Sequence, residues 1–67
     1  MHNFTKNLKY LTKTKINQNQ LSIKLGITRQ TITKYLNGSE PSYDKLIKIS
    51  EIYEISIDDL LKKDLSK

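Results

Sequence analysis

Apolar side chains recur along this chain at intervals of three and four residues, which is the spacing of one face of an α-helix. The alternation typical of β-strands is short and never sustained. Phe4, Leu8 and Leu11 form the first apolar stripe, and lysines occupy positions on its opposite side. The pattern therefore predicts a first amphipathic helix whose stripe faces the core.

Capping residues predict two helices in the middle of the chain. Asn17, followed three residues later by Gln20, has the pattern of a capping box, so a second helix is expected over about residues 18–25. Gly26 is expected to end it, because glycine adopts the left-handed backbone conformation without a Cβ penalty. Thr28 is the predicted N-cap of a third helix, which ends at Leu36 before an Asn-Gly pair.

Two further helices are predicted in the C-terminal half. Pro41 prevents direct continuation of the third helix, and Ser42 is the expected N-cap of the fourth. Ser56 with Asp59 forms another capping-box pattern, at the start of a short fifth helix. The apolar faces of these two helices comprise Leu46, Ile49, Tyr53, Ile57, Leu60 and Leu61. We predict an all-α fold, a compact bundle of five short helices that forms one domain over residues 1–67.

Composition limits how such a small domain is stabilised. The sequence has no Cys and a single His, His2, so disulfides and a Cys/His zinc site are excluded, and no metal or cofactor is expected. No apolar run exceeds two residues, which excludes a membrane span and a signal-peptide core. We expect a cytoplasmic protein that is stabilised by helical packing and by association with a second copy.

Charge is divided unequally along the chain. Residues 1–38 contain seven Lys or Arg and no acid, a charge of +7, whereas residues 39–67 contain five bases and seven acids, a charge of −2. A surface that serves only solubility usually mixes the two signs. The acid-free half therefore indicates an anionic partner, and nucleic acid is favoured over a membrane because this half lacks a wide apolar face.

Residues 18–36 have the sequence form of a helix-turn-helix, with a turn of about three residues that contains Gly26. At about 100° per residue, the third helix has one side that is expected to pack and one that is expected to face outward. The side expected to pack consists of Thr31, Ile32 and Tyr35. The side expected to face outward, and predicted to read DNA bases, consists of Arg29, Gln30, Thr33 and Lys34.

The chemistry of this outer side suits the major groove of DNA. Arginine can bond to the O6 and N7 atoms of guanine, glutamine to N6 and N7 of adenine, and a threonine methyl can contact the thymine methyl. Any amphipathic surface helix also has a polar outer side, which is the alternative interpretation. The absence of acids from this side favours DNA.

The runs over residues 16–22, 25–29 and 35–38, with the C-terminal segment over residues 41–61, resemble the lambda-repressor/Cro-type (XRE-like) family of phage and bacterial regulators. The resemblance implies that Arg29, Gln30 and Lys34 read base edges. It also implies that Gln18 and Asn37 bind phosphates, although Asn37 with Gly38 equally fits an ordinary helix stop. The complete set of predicted phosphate contacts is Gln18, Thr28, Asn37, Ser39, Ser42 and Tyr43. Lys6 and Lys15 are further candidates.

The sequence departs from the family pattern at several positions. Thr12 and Leu36 stand where many members have an Arg–Glu ion pair, and Leu36 is expected to pack instead. Ser22 and Ser50 replace alanines, which indicates tight contacts that tolerate a hydroxyl. Glu54 replaces a helix-ending glycine, so a strained or differently built terminus of the fourth helix is expected. None of these positions lies on the predicted base-reading side.

Together these features predict a sequence-specific regulator of transcription that binds double-stranded DNA. We expect a repressor that inserts its third helix into the major groove of a palindromic operator as a homodimer. The fourth and fifth helices carry more apolar side chains than they can bury, so they are the expected dimer interface. Its predicted residues are Ile52, Tyr53, Ile57, Leu61 and Leu65.

Other functions are less well supported by the sequence. The C-terminal apolar side chains also suit an antitoxin or another protein-interaction module, with a toxin or antagonist as its partner. RNA binding is weaker, because the chain lacks an array of exposed aromatic side chains. An enzyme is not expected, since Asp58 and Asp59 diverge by about 100° around a helix and His2 has no fixed neighbour.

Overall fold

The computed structural model describes residues 3–67, so the expectation about His2 lies outside the described residues. The described part folds into α1 (Phe4–Thr14), α2 (Gln18–Leu25), α3 (Arg29–Leu36), α4 (Tyr43–Tyr53) and α5 (Ile57–Lys62), and no strand forms between residues 3 and 67. This confirms the predicted all-α fold of five short helices. The predicted bounds of the second and third helices agree with those of α2 and α3.

Every helix contributes side chains to a single core. The predicted stripe of Phe4, Leu8 and Leu11 is buried, which confirms the orientation of α1. The other buried apolar side chains are Leu21, Leu25, Ile32, Tyr35, Leu36, Leu46, Ile49 and Leu60. Leu36 thus packs into the core, as expected from the missing ion pair. Ser22 and Ser50 are buried with their hydroxyls bonded to carbonyls within their own helices.

The predicted N-caps all form. The side chain of Asn17 accepts a hydrogen bond from the amide of Gln20 at 2.9 Å, and the Gln20 side chain accepts one in return from the Asn17 amide at 3.4 Å. The hydroxyls of three further N-cap residues, Thr28, Ser42 and Ser56, each accept a bond from the amide three residues later. Each cap satisfies an amide that the first turn of a helix leaves free.

The C-terminal ends of α2 and α4 are both left-handed. Gly26 has a φ of 70° and ends α2 as predicted. Glu54 has a φ of 56° and ends α4, and it is the one residue other than glycine with a positive φ in the part of the chain that the structure describes. The expectation of a strained terminus is therefore confirmed, because a Cβ disfavours this backbone conformation.

The sequence analysis missed the role of Asn7, which joins the two ends of the described chain. Its side chain is completely buried. Nδ2 donates to the carbonyls of Leu60 at 2.8 Å and Lys63 at 2.6 Å, and Oδ1 accepts from the amide of Leu65 at 2.9 Å. The buried amide thereby packs α1 against α5 and fixes the segment after it.

Candidate nucleic-acid interface

The turn between α2 and α3 is held by backbone hydrogen bonds and by buried side chains on both sides. After Gly26, the amide of Ile27 donates to the carbonyl of Ser22 at 3.0 Å, which closes the end of α2. Leu25 of α2 and Ile32 of α3 are buried on either side of the turn. The turn is therefore short and anchored, as a helix-turn-helix requires.

The structure places the four predicted base-reading residues, Arg29, Gln30, Thr33 and Lys34, on the exposed side of α3. Ile32, Tyr35 and Leu36 are buried on its other side, and Thr31 is half-buried. The predicted division of this helix into an outer and an inner side is therefore correct. The hydroxyl of Thr33 donates to the carbonyl of Arg29 at 3.0 Å, so its methyl group remains for an apolar contact.

No ion pair among the described residues neutralises the cations of α3. Among the described residues, the ion pairs join Asp64 to Lys6 and to Lys67, and none includes Arg29 or Lys34. α3 contains no acid, and neither do the turn before it and α2. The outer side of α3 is therefore an exposed, positively charged ridge that suits an external anion.

The predicted phosphate-binding residues are all at least partly accessible to solvent. Thr28, Asn37, Ser39, Ser42 and Tyr43 are exposed and Gln18 is half-buried. Thr28 and Ser42 also serve as N-caps, in which their hydroxyl oxygens act as acceptors.

Asn37, at the end of α3, has two interpretations, a phosphate contact and part of an ordinary helix stop. The amides of Gly38 and Ser39 bond to the carbonyls of Tyr35 and Lys34, so backbone groups close this helix end. The side-chain amide of Asn37 makes no hydrogen bond with the residues that the structure describes. It remains available to a ligand.

An open groove with a volume of about 520 Å³ lies where α1, α2 and α3 meet. Its lining residues are Thr12, Lys13, Asn17, Gln18, Asn19 and Arg29. The groove brings two cations, Lys13 and Arg29, together with the predicted phosphate contact Gln18 at the N-terminus of α2. Sequence reasoning missed Thr12, Lys13 and Asn19, because the residues that line the groove come from three separate helices.

One candidate phosphate contact, Lys6, has an ion-pair partner within the molecule. The ammonium group of Lys6 lies 2.8 Å from the carboxylate of Asp64, on the segment after α5. This pair makes Lys6 a weaker candidate for a phosphate contact than an unpaired lysine. Lys15 is exposed and stays a candidate.

The residues predicted to form a dimer interface are half-buried, and they pack against the core of their own chain. This holds for Ile52, Tyr53, Ile57, Leu61 and Leu65. The hydroxyl of Tyr53 donates to the carbonyl of Ile16 at 2.8 Å, so its polar end is directed within the molecule. Among the described residues, the most exposed large apolar side chains are Ile23 and Tyr43, at 72% and 69%.

Residues 3–67 offer neither a metal site nor a membrane span. No group of three or more His, Asp or Glu side chains in that range is arranged to hold a metal ion. None of the five helices described there combines the length and apolarity needed to cross a lipid bilayer.

Comparisons with known proteins agree with the geometry. A family model described as Helix-turn-helix matches residues 8–60. A Bacillus subtilis (strain 168) protein named Uncharacterized HTH-type transcriptional regulator YqaE is 49% identical over 61 residues, which are 88% of this chain and 53% of that protein. The transposase for insertion sequence element IS232 of Bacillus thuringiensis subsp. berliner is 47% identical over 45 residues, which are 64% of this chain and 10% of that protein. The chain thus spans about half the length of the regulator. No solved structure gives a significant match.

Proposed function

The chain belongs to the XRE-type helix-turn-helix family, and we propose that it is a sequence-specific repressor that inserts α3 into the major groove of DNA. The observation that carries this proposal is the outer side of α3. There Arg29, Gln30, Thr33 and Lys34 are all exposed, while Ile32 on the opposite side is completely buried. A helix braced on one side and cationic on the other fits the width of the major groove.

The contacts to DNA divide into two classes. Side chains of α3 read base edges, with Arg29 suited to guanine and Gln30 to adenine. Gln18, Asn37 and the hydroxyl residues around them hold the phosphates on either side and set the register of α3 in the groove. Because phosphate contacts release counterions, affinity falls steeply as the salt concentration rises.

A second copy completes the proposed operator complex. A single module of this size buries only about 600–1,000 Å² on DNA, which gives modest specificity. Two copies on a palindromic site, with half-sites about one helical turn apart, increase it. The half-buried apolar side chains of α4 and α5 support a homodimer through this region, in the half of the sequence that carries all seven acidic residues. The repressor acts in the cytoplasm by occupying a promoter and excluding RNA polymerase.

Selection from a pool of random double-stranded DNA tests the proposal. The expected result is an enriched inverted repeat with half-sites about 10 base pairs apart. Sedimentation of the complex on that site is expected to give two chains per duplex. Recovery of unenriched sequences contradicts sequence-specific binding. A single chain on the selected site contradicts the homodimer, and it leaves DNA binding in place.

A further inference from the structure

Tyr53, the last residue of α4, forms a hydrogen bond to a residue 37 positions earlier in the chain. Its hydroxyl donates to the carbonyl oxygen of Ile16 at 2.8 Å. Ile16 immediately precedes Asn17, the N-cap of α2. Among the hydrogen bonds of the described residues, this one alone joins α4 to the link between α1 and α2.

This hydrogen bond lies directly beside the groove where α1, α2 and α3 meet. The three residues after Ile16, which are Asn17, Gln18 and Asn19, all line that groove. The capping box of Asn17 and Gln20 fixes the first turn of α2 on itself. The capping box does not fix that turn relative to the rest of the molecule. The hydrogen bond from Tyr53 does so, because it joins the end of α4 to the link before α2.

The environment of Tyr53 maintains the bond over a wide pH range. The side chain is half-buried and packs against the core. Burial raises the pKa of its phenol to about 12, so the hydroxyl keeps its proton and remains a donor. No charged side chain takes part in the bond, and salt therefore screens it little.

We propose that Tyr53 is a positioning residue for DNA binding, which holds the N-terminal end of α2 in place through the carbonyl of Ile16. This inference rests on the proposed function, since it assigns the groove at that end of α2 to a DNA phosphate. The same hydrogen bond gives the hydroxyl of Tyr53, a predicted dimer-interface residue, a partner within its own chain.

The substitution Tyr53→Phe tests the inference because it keeps the ring and removes only the hydroxyl. Binding to a random-sequence duplex is measured by fluorescence anisotropy between about 50 and 300 mM salt. We expect affinity at low salt to fall roughly fivefold, the equivalent of one hydrogen bond. We also expect the slope of log affinity against log salt to become shallower by about 1, because one phosphate contact is lost.

Two controls separate positioning from general stability. Tyr10→Phe removes the hydroxyl of another half-buried tyrosine. That hydroxyl makes no hydrogen bond with the described residues, so binding is expected to stay unchanged. Ile49→Val destabilises the core of α4 by roughly 0.5–1.5 kcal/mol without touching the link, so the salt slope is expected to stay unchanged. In the free protein, Tyr53→Phe is expected to speed hydrogen exchange at the amides of Gln20 and Leu21 more than at those of α3.

The outcomes distinguish this inference from the proposed function. If the wild-type protein binds DNA and Tyr53→Phe binds with the same affinity and salt slope, the positioning role is wrong and the function stands. The positioning role is also wrong if Ile49→Val changes the slope of log affinity against log salt as much as Tyr53→Phe does. If the wild-type protein binds no duplex, the proposed function fails, and the hydrogen-exchange result alone then shows whether Tyr53 fixes the end of α2.

Discussion

Lys6 and Asp64 form an ion pair of 2.8 Å that joins α1 to the segment after α5. The hydrogen bond from Lys6, followed by that from Ser66, lowers the pKa of the Asp64 carboxyl to about 2. The pair is exposed to solvent on the lysine side. Together with Asn7, it connects the first helix to the last described residues of the chain.

This pair predicts a dependence of stability on pH. The folded-state pKa of Asp64 lies below the ordinary value of 3.8, so its contribution is complete above about pH 4 and is lost as the pH falls towards 2. Asp64→Asn is therefore expected to lower the melting temperature at pH 7 and to lower it much less at pH 2. Circular dichroism at both pH values measures this, with Glu51→Gln as the control for the loss of one exposed carboxylate. An equal decrease at both pH values contradicts the assignment.

Two lysines of α1 are expected to differ in their effect on DNA binding. Lys13 lines the groove beside Gln18, whereas Lys6 is paired with Asp64. Lys13→Ala is expected to weaken binding to all sequences and to make the salt slope shallower by about 1, because a phosphate contact is removed. Lys6→Ala is the matched control, with little change expected. Titrations at several salt concentrations measure both, and an equal effect of the two substitutions counts against the groove as a phosphate site.

Arg29 is expected to contribute to sequence recognition. Arg29→Ala should cost about 1–3 kcal/mol on the selected operator and much less on random DNA, since a base contact is lost. Both duplexes are needed because Arg29 also lines the groove at the N-terminus of α2, where a phosphate contact is the alternative to a base contact. Binding isotherms on the two duplexes measure the difference. An equal loss on both identifies Arg29 as a phosphate contact instead.

Glu54 provides a test of the strain at the end of α4. Its φ of 56° places a residue with a Cβ in the left-handed region, so Glu54→Gly is expected to stabilise the fold by about 1 kcal/mol. Glu51→Gly, in the helical part of α4, is the matched control and is expected to destabilise by about 1 kcal/mol. Urea denaturation gives both values. Destabilisation by both substitutions contradicts the presence of strain at this helix end.

Local signals in the sequence were sufficient to predict the helices. The cap at Asn17, the left-handed Gly26 and the stripe from Phe4 to Leu11 each act within a few residues, so spacing alone identified them. The outer side of α3 was predicted for the same reason, since a helix of known bounds has known sides. Its exposure in the structure agrees with that prediction.

Long-range contacts could not be predicted in this way. The partners of Asn7 lie 53 to 58 residues away along the chain, so the local spacing of apolar and polar residues does not reveal them. The available signal was its position on the apolar stripe between Phe4 and Leu11, where a polar residue needs buried partners. The sequence predicts Tyr53 in a dimer interface because α4 and α5 carry more apolar side chains than two short helices can bury, and only the fold brings Ile16 to its hydroxyl.

The central claim is that the exposed side of α3 binds the groove of duplex DNA. Titration of the isotopically labelled protein with a double-stranded oligonucleotide at low salt, followed through amide chemical shifts, tests it most directly. We predict that the largest shifts fall on residues 28–38 and on residues 17–19. Shifts that stay constant over residues 28–38 as any duplex is added would contradict the account.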